Sequence, residues 1–138
     1  GVEKNIPYPG MKEALLRLRD AGKVLCVATS KPEPFARAIA DRFGLVEYFD
    51  FVGGASLDDT RTKKAAVIEY VLVSVGSPKP EQVLMVGDRR HDVEGAAAFG
   101  IDCVGVLYGY GSREELTAAG ACFLAEQPAD IADYVLGK

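Results

Sequence analysis

At 138 residues the chain suits a single domain, able to bury about two thirds of the surface its unfolded form exposes and too small for a second sizeable one. With 49% hydrophobic and 26% charged residues it has the balance of a folded globule, which excludes a disordered or fibrous chain. A formal charge of -4 argues against a nucleic-acid or membrane-surface partner, since both need a concentrated basic field, but not against a metal-assisted site for an anionic substrate.

The chain opens on a turn, IPYPG at 6–10. MKEALLRLRDAG then places Met11, Leu15 and Leu18 on one helical face, with Leu16 alongside and Gly22 as the stop. KVLCVA at 23–28 has the length and apolarity of a buried strand; TSKPEP follows as a loop, with a helix starting at Pro32 or Pro34 and carrying Phe35, Ile39 and Phe43 towards Gly44. YFDFVGG reads as a brief strand entering a glycine turn, and SLDDTRT as a polar segment. Residues 63–75 form a helix with an inner stripe of Val67, Tyr70, Val71 and Val75. QVLMVG at 82–87 is the next strand, DVEGAAAFG a helix whose small residues allow close packing, and IDCVGVL another strand. The tail repeats the theme: SREELTAAG is helical, with Ser112 and Glu115 spaced as a capping box, ACFLA extended and ADIADYVLG helical.

Strands alternating with helix-length crossovers predict an α/β fold, a three-layer Rossmann-like domain with a mostly parallel sheet covered on both faces. In such sheets binding chemistry collects beyond the carboxyl ends of the strands. Three polar signals fall there: Thr29 and Ser30 after VLCVA, Lys63 or Lys64 at a helix start, and Asp88 after VLMVG.

Asp88 follows a strand and a glycine, a placement suited to one of the one or two carboxylates that hold Mg2+ beside waters and phosphate. Asp92 lies one helical turn on, where it either shares that face or satisfies amides at the helix start. Thr29 and Ser30 have the hydroxyls to bind a phosphoryl oxygen, with a plain helix cap as the competing use. A lysine supplies the positive charge for a dianion, and spacing alone does not choose between Lys63 and Lys64. Arg89, Arg90 and His91 read as a solvated loop, and one histidine makes no metal cluster. Cys26, Cys103 and Cys122 are odd in number and widely spaced in apolar segments, the pattern of free, mostly buried thiols in a reducing compartment. With no recognisable cleavable signal or membrane-length apolar run, the expected location is the cytoplasm.

The ordered set YPGMKEALLRLRDAGKVLCVATSKP, FVGGASLDDTRTKKAAVI and VLMVGDRRHDVEGAAAFGIDCVGVLYGYGSREEL resembles the hydrolase core of the haloacid dehalogenase superfamily, in its phosphoglycolate phosphatase-like branch. The resemblance implies a Mg2+-dependent phosphomonoester hydrolase acting on a phosphorylated small molecule. It also implies that Thr29, with Ser30 beside it, holds phosphate; that Lys64, preferred to Lys63 by its place before AAVI, stabilises the phosphoryl group; and that Asp88, with Asp92 ligating or orienting, binds Mg2+. Thr29, Lys64 and Asp88 are the candidate catalytic set.

Members of that family begin with an apolar strand ending in a DxDxT-like segment, which supplies the nucleophile and the proton-transfer aspartate, followed by a helical cap. Neither is found in 1–138, and LDDT at 57–60 lies in a polar loop. The chain is therefore expected to be a truncated core domain, inactive in isolation. The alternative is a non-catalytic phosphate-binding or self-associating fragment. In the family the missing strand lies between those ending at Thr29 and Asp88. The two flanking edges are thus expected to close on one another, to receive a complementary fragment, or to drive homo-oligomerisation.

Overall fold

The computed structural model describes residues 9–137, so the IPYPG turn lies partly outside the described residues; Pro9 and Gly10 are in a turn as expected. Six helices and five strands follow in chain order: α1 (Met11–Asp20), β1 (Cys26–Pro32), α2 (Glu33–Arg42), β2 (Phe51–Ala55), α3 (Lys64–Ser74), β3 (Leu84–Gly87), α4 (Arg90–Ala97), β4 (Asp102–Val106), α5 (Arg113–Ala119), β5 (Phe123–Ala125) and α6 (Pro128–Leu136). Short 3-10 turns occupy Val46–Tyr48 and Pro80–Gln82. Every observed strand pair is parallel. This is the α/β, Rossmann-like architecture that the alternation of elements predicts.

The core is divided by the pleat of β4. Cys103 points into a cluster with Val93, Ala96, Ile101 and Leu116 beneath α4 and α5, while Val104 and Val106 point the other way, towards Ala125 and Ile131. On that second side α6 packs against α1 through Ala132, Ala14 and Leu18. The sheet is thus a layer between two layers of helix. The α3 stripe differs from the expected one: Val67, Ile68 and Val71 are buried, and Tyr70 and Val75 only half so. The helix is apolar on most sides, so its periodicity does not single out a face, and it packs against β1, β2 and α4 at once. In α2, Phe35 is 49% exposed and Ala36 is the buried residue.

β1 is displaced from its expected position. It begins at Cys26 and runs on through Thr29 and Ser30 to Pro32, where a loop was expected. Cys26, Val27 and Ala28 face Phe51, Val52 and Gly53, and after an irregularity Pro32 faces Ala55. A Cβ on Gly54 would lie 2.6 Å from the Lys31 carbonyl oxygen, so only a glycine lets the two backbones stay together this far.

The strands form two groups. β1 pairs with β2, and β3 with β4 and β4 with β5, but β1 and β3 are not hydrogen-bonded neighbours. The expectation that these edges close on one another is not met. The two groups are joined by the contact of α3 with α4, by α1, which packs on α6 and against Leu25 just before β1, and by one lysine side chain described below.

No cysteine is in a disulfide. Cys103 is 2% exposed, and burial, reinforced by the nearby Asp92 charge, pushes its thiol up to about 12; Cys122, contrary to the burial expected from its apolar setting, is exposed. Because only the thiolate alkylates, iodoacetamide at pH 8 is expected to label Cys122 in the folded protein and to spare Cys103. Mass spectrometry of tryptic peptides checks this, and rapid native labelling of Cys103 would contradict the burial.

Candidate functional site

The carboxyl ends of β1 and β3 are brought together by the residues at the starts of α3 and α4. Asp92, in the first turn of α4, is 7% exposed. Its Oδ2 accepts from the amides of Asp88 at 3.0 Å and Arg89 at 3.2 Å, satisfying two of the donors that open the turn. Its Oδ1 pairs with the Lys64 ammonium at 2.8 Å. The helix-start use and the site use of this aspartate are therefore both present, one on each oxygen. Gly87 makes this possible, since a Cβ there would overlap the Asp92 side chain.

Lys64 is the first residue of α3, and its Nζ also donates to the Ala28 carbonyl at 3.0 Å. A single ammonium thus spans from the end of β1 to the turn after β3. Its side chain is 16% exposed and that of Asp92 9%, so the pair is largely shielded from water. Lys63 stands at the N-cap position of the helix, makes no side-chain cap bond and is exposed. Of the two lysines, then, the one facing the strand ends is Lys64.

Thr29 directly follows Ala28 and is half-buried; Ser30 is exposed. The Thr29 hydroxyl oxygen accepts from the Lys31 amide at 3.2 Å, leaving its own proton to be donated. Asp88 stands at the end of β3 and is half-buried. Its Oδ2 accepts from the Tyr110 amide at 3.0 Å and its main-chain oxygen from Gly111 at 2.8 Å. Among the described residues no bond to its Oδ1 is found. His91 is exposed and lies with Arg90 in the first turn of α4 rather than in a loop.

Sequence reasoning missed the loop after β4, where Tyr110 and Gly111 hold Asp88. The repeated glycines and tyrosines of LYGYG were the available signal. It also misassigned Glu115. Ser112 Oγ does accept from the Glu115 amide at 3.0 Å, as a capping box requires, but the Glu115 carboxylate does not complete the box; its Oε2 instead takes Arg89 Nε at 2.8 Å and the Arg90 amide at 2.9 Å. That leaves the carboxyl group below its ordinary range, chiefly through the Arg89 hydrogen bond.

No group of three or more metal-ligating side chains occurs among the described residues. A single carboxylate nonetheless fits a hard cation that takes its other oxygens from water and phosphate. Asp88 has the carboxylate oxygen suited to coordination. Both Asp92 oxygens are engaged within the protein, so Asp92 fits the role of orienting the turn better than that of a direct ligand. LDDT does not supply a carboxylate to this place: Asp58 Oδ1 accepts from the amide and hydroxyl of Thr60, closing the turn between β2 and α3.

The family model of the haloacid dehalogenase-like hydrolases matches residues 1–100. The chain belongs to this family. It is 48% identical over 114 residues to the tyrosine-protein kinase PtkA of Mycobacterium tuberculosis, covering 83% of this chain and 39% of that protein. To a 5'-nucleotidase of Pseudomonas aeruginosa it is 45% identical over 118 residues, covering 86% and 53%. A crystal structure of a predicted phosphatase from Clostridium acetobutylicum superposes with a TM-score of 0.90 at 39% identity, over 95% of this chain and 60% of that one. The chain thus spans about two fifths to a half of the length of these two curated relatives. The family's hydrolase fold and its broad relation to the phosphoglycolate phosphatase-like branch, which the motifs implied, stand. No helix among the described residues is long and apolar enough to cross a membrane.

Proposed function

We propose that this chain is the phosphoryl-handling part of a Mg2+-dependent phosphomonoester hydrolase. The reading is carried by the Lys64 ammonium, which joins the Ala28 carbonyl to the Asp92 carboxylate beside Thr29 and Asp88. In this assignment Thr29 and Ser30 donate to the phosphate, Lys64 balances its charge, Asp88 holds the metal and Asp92 fixes both Lys64 and the Asp88 turn. Mg2+, when bound, would neutralise charge on the phosphoryl oxygens. The attacking carboxylate and the proton-transfer carboxylate would come from a strand lying between β1 and β3, which among the described residues pair with no strand on their facing edges. The 138-residue chain on its own therefore does not turn over. Among substrates, small phosphorylated acids such as phosphoglycolate follow from the resemblance, and nucleoside monophosphates gain support from the 5'-nucleotidase relative.

A second reading, a non-catalytic fragment that associates through its sheet edges, is favoured by the unpaired edges of β1 and β3 and by Val86, 40% exposed in mid-strand. One set of measurements tests both. Titration with inorganic phosphate, with and without Mg2+, is expected to give saturable binding on the order of millimolar, and p-nitrophenyl phosphate is expected to persist. Sustained hydrolysis by the intact 138-residue chain would refute the inactivity, and absence of phosphate binding would refute the site. A monomer by light scattering would remove the associating fragment.

A further inference from the structure

The turn that carries Asp88 is held from two directions. Asp92 holds it from within α4, taking the amides of Asp88 and Arg89. The second hold comes from α5, 25 residues away in sequence, where Glu115 Oε2 accepts from both Arg89 Nε and the Arg90 amide. The loop leading into that helix grips Asp88 itself, through Tyr110 N–H on the carboxylate and Gly111 N–H on the main-chain oxygen. These bonds form a closed belt between residues 88–90 and 110–115. A glutamate three residues after a serine cap would ordinarily reach back to the cap's amide. Glu115 forgoes that nearby donor for two on another loop.

We propose that Glu115 is a positioning residue for Asp88. By anchoring α5 to the Arg89–Arg90 segment it keeps the Tyr110 and Gly111 amides on Asp88, so that one carboxylate oxygen is occupied and the other is presented at the strand end. An exposed ion pair adds little to overall stability, and the Arg89 side chain is 43% exposed. The consequence is local order, and the Arg89 hydrogen bond, which holds the Glu115 carboxyl below its ordinary range, keeps that carboxylate in its charged form. The metal-affinity consequence rests on the assignment of Asp88 proposed above; the positional one does not.

The experiment is amide hydrogen exchange on the 138-residue chain and three variants, with Mg2+ titration alongside. Glu115→Gln keeps the reach and an acceptor oxygen, Glu115→Asp keeps the charge but shortens the reach, and Glu115→Ala removes both. Tyr110 and Gly111 are expected to exchange about tenfold faster in the Asp and Ala variants and near the original rate in the Gln variant, with α1 and α6 unaffected. The apparent Mg2+ dissociation constant should rise about tenfold in the same two variants and be rescued by Gln. Unchanged exchange at Tyr110 and Gly111 in both the Ala and Asp variants overturns the proposal. If the Ala variant does not fold, the Asp–Gln contrast decides, equal rates counting against it. Asp88→Asn separates the two readings: unaltered Mg2+ affinity there sinks the metal assignment of Asp88, while the exchange rates still decide the role of Glu115.

Discussion

Lys64→Met is expected to lower stability by about 3 kcal/mol, while Lys63→Met leaves it within about 0.5 kcal/mol. Methionine fills nearly the same volume as the lysine stem, so the loss is electrostatic rather than a cavity. It strips the counter-charge from Asp92, a carboxylate only 9% exposed, and the donor from the Ala28 carbonyl. Removing one partner of a shielded pair costs more than the pair contributes, because the remaining charge keeps its desolvation penalty without its compensation. The urea midpoint should fall without a change in slope, since the surface exposed on unfolding is the same. Phosphate affinity should fall with Lys64→Met and hold with Lys63→Met. A larger loss of phosphate affinity from Lys63 would overturn the choice of lysine.

The alternation of elements was legible because parallel strands buried on both faces are short continuous apolar runs, as VLMVG and CVGV are, separated by lengths of chain that only a helix crosses economically. Where local pattern and tertiary contact disagree, the pattern fails. Thr29 and Ser30 read as loop because small hydroxyl residues favour turns, yet Gly54 on the neighbouring strand lets β1 continue through them. Ile68 was left out of the inner face of α3 because a helix apolar on most sides has no stripe to read, and only its contact with α4 settles the matter.

The site shows the same division. Asp88 and Asp92 stood out because an acid after a strand and a glycine, with another one turn on, has few structural uses. Lys64 could be preferred to Lys63 only by resemblance; its neighbours Val67 and Ile68 are both buried and so do not discriminate. The repeated glycines of LYGYG marked the loop, but not its hold on Asp88, because the main-chain donors of Tyr110 and Gly111 carry no sequence signature of their own. Glu115 was misread for a related reason: its spacing from Ser112 satisfies a local rule, while Arg89 and the Arg90 amide are neighbours only in space.

Asp92→Ala is expected to cost about 4 kcal/mol, more than Lys64→Met, because the aspartate serves two kinds of partner. Its loss leaves the Lys64 ammonium uncompensated and also withdraws the acceptor shared by the Asp88 and Arg89 amides, which lie under the first turn of α4. Asp92→Asn separates these contributions. The side-chain carbonyl still accepts from the two amides while the amide NH2 replaces the oxygen facing Lys64, so the ion pair and its hydrogen bond are lost but the turn is kept, and the cost should drop to about 2 kcal/mol. In Lys64→Met/Asp92→Asn neither charge is left stranded, and the double variant should be more stable than the summed single losses by about 1 kcal/mol or more. Additive losses in that cycle would mean that the 2.8 Å pair contributes nothing beyond its separate parts, and that the packing of α3 on α4 and of α1 on α6 brings the ends of β1 and β3 together without it.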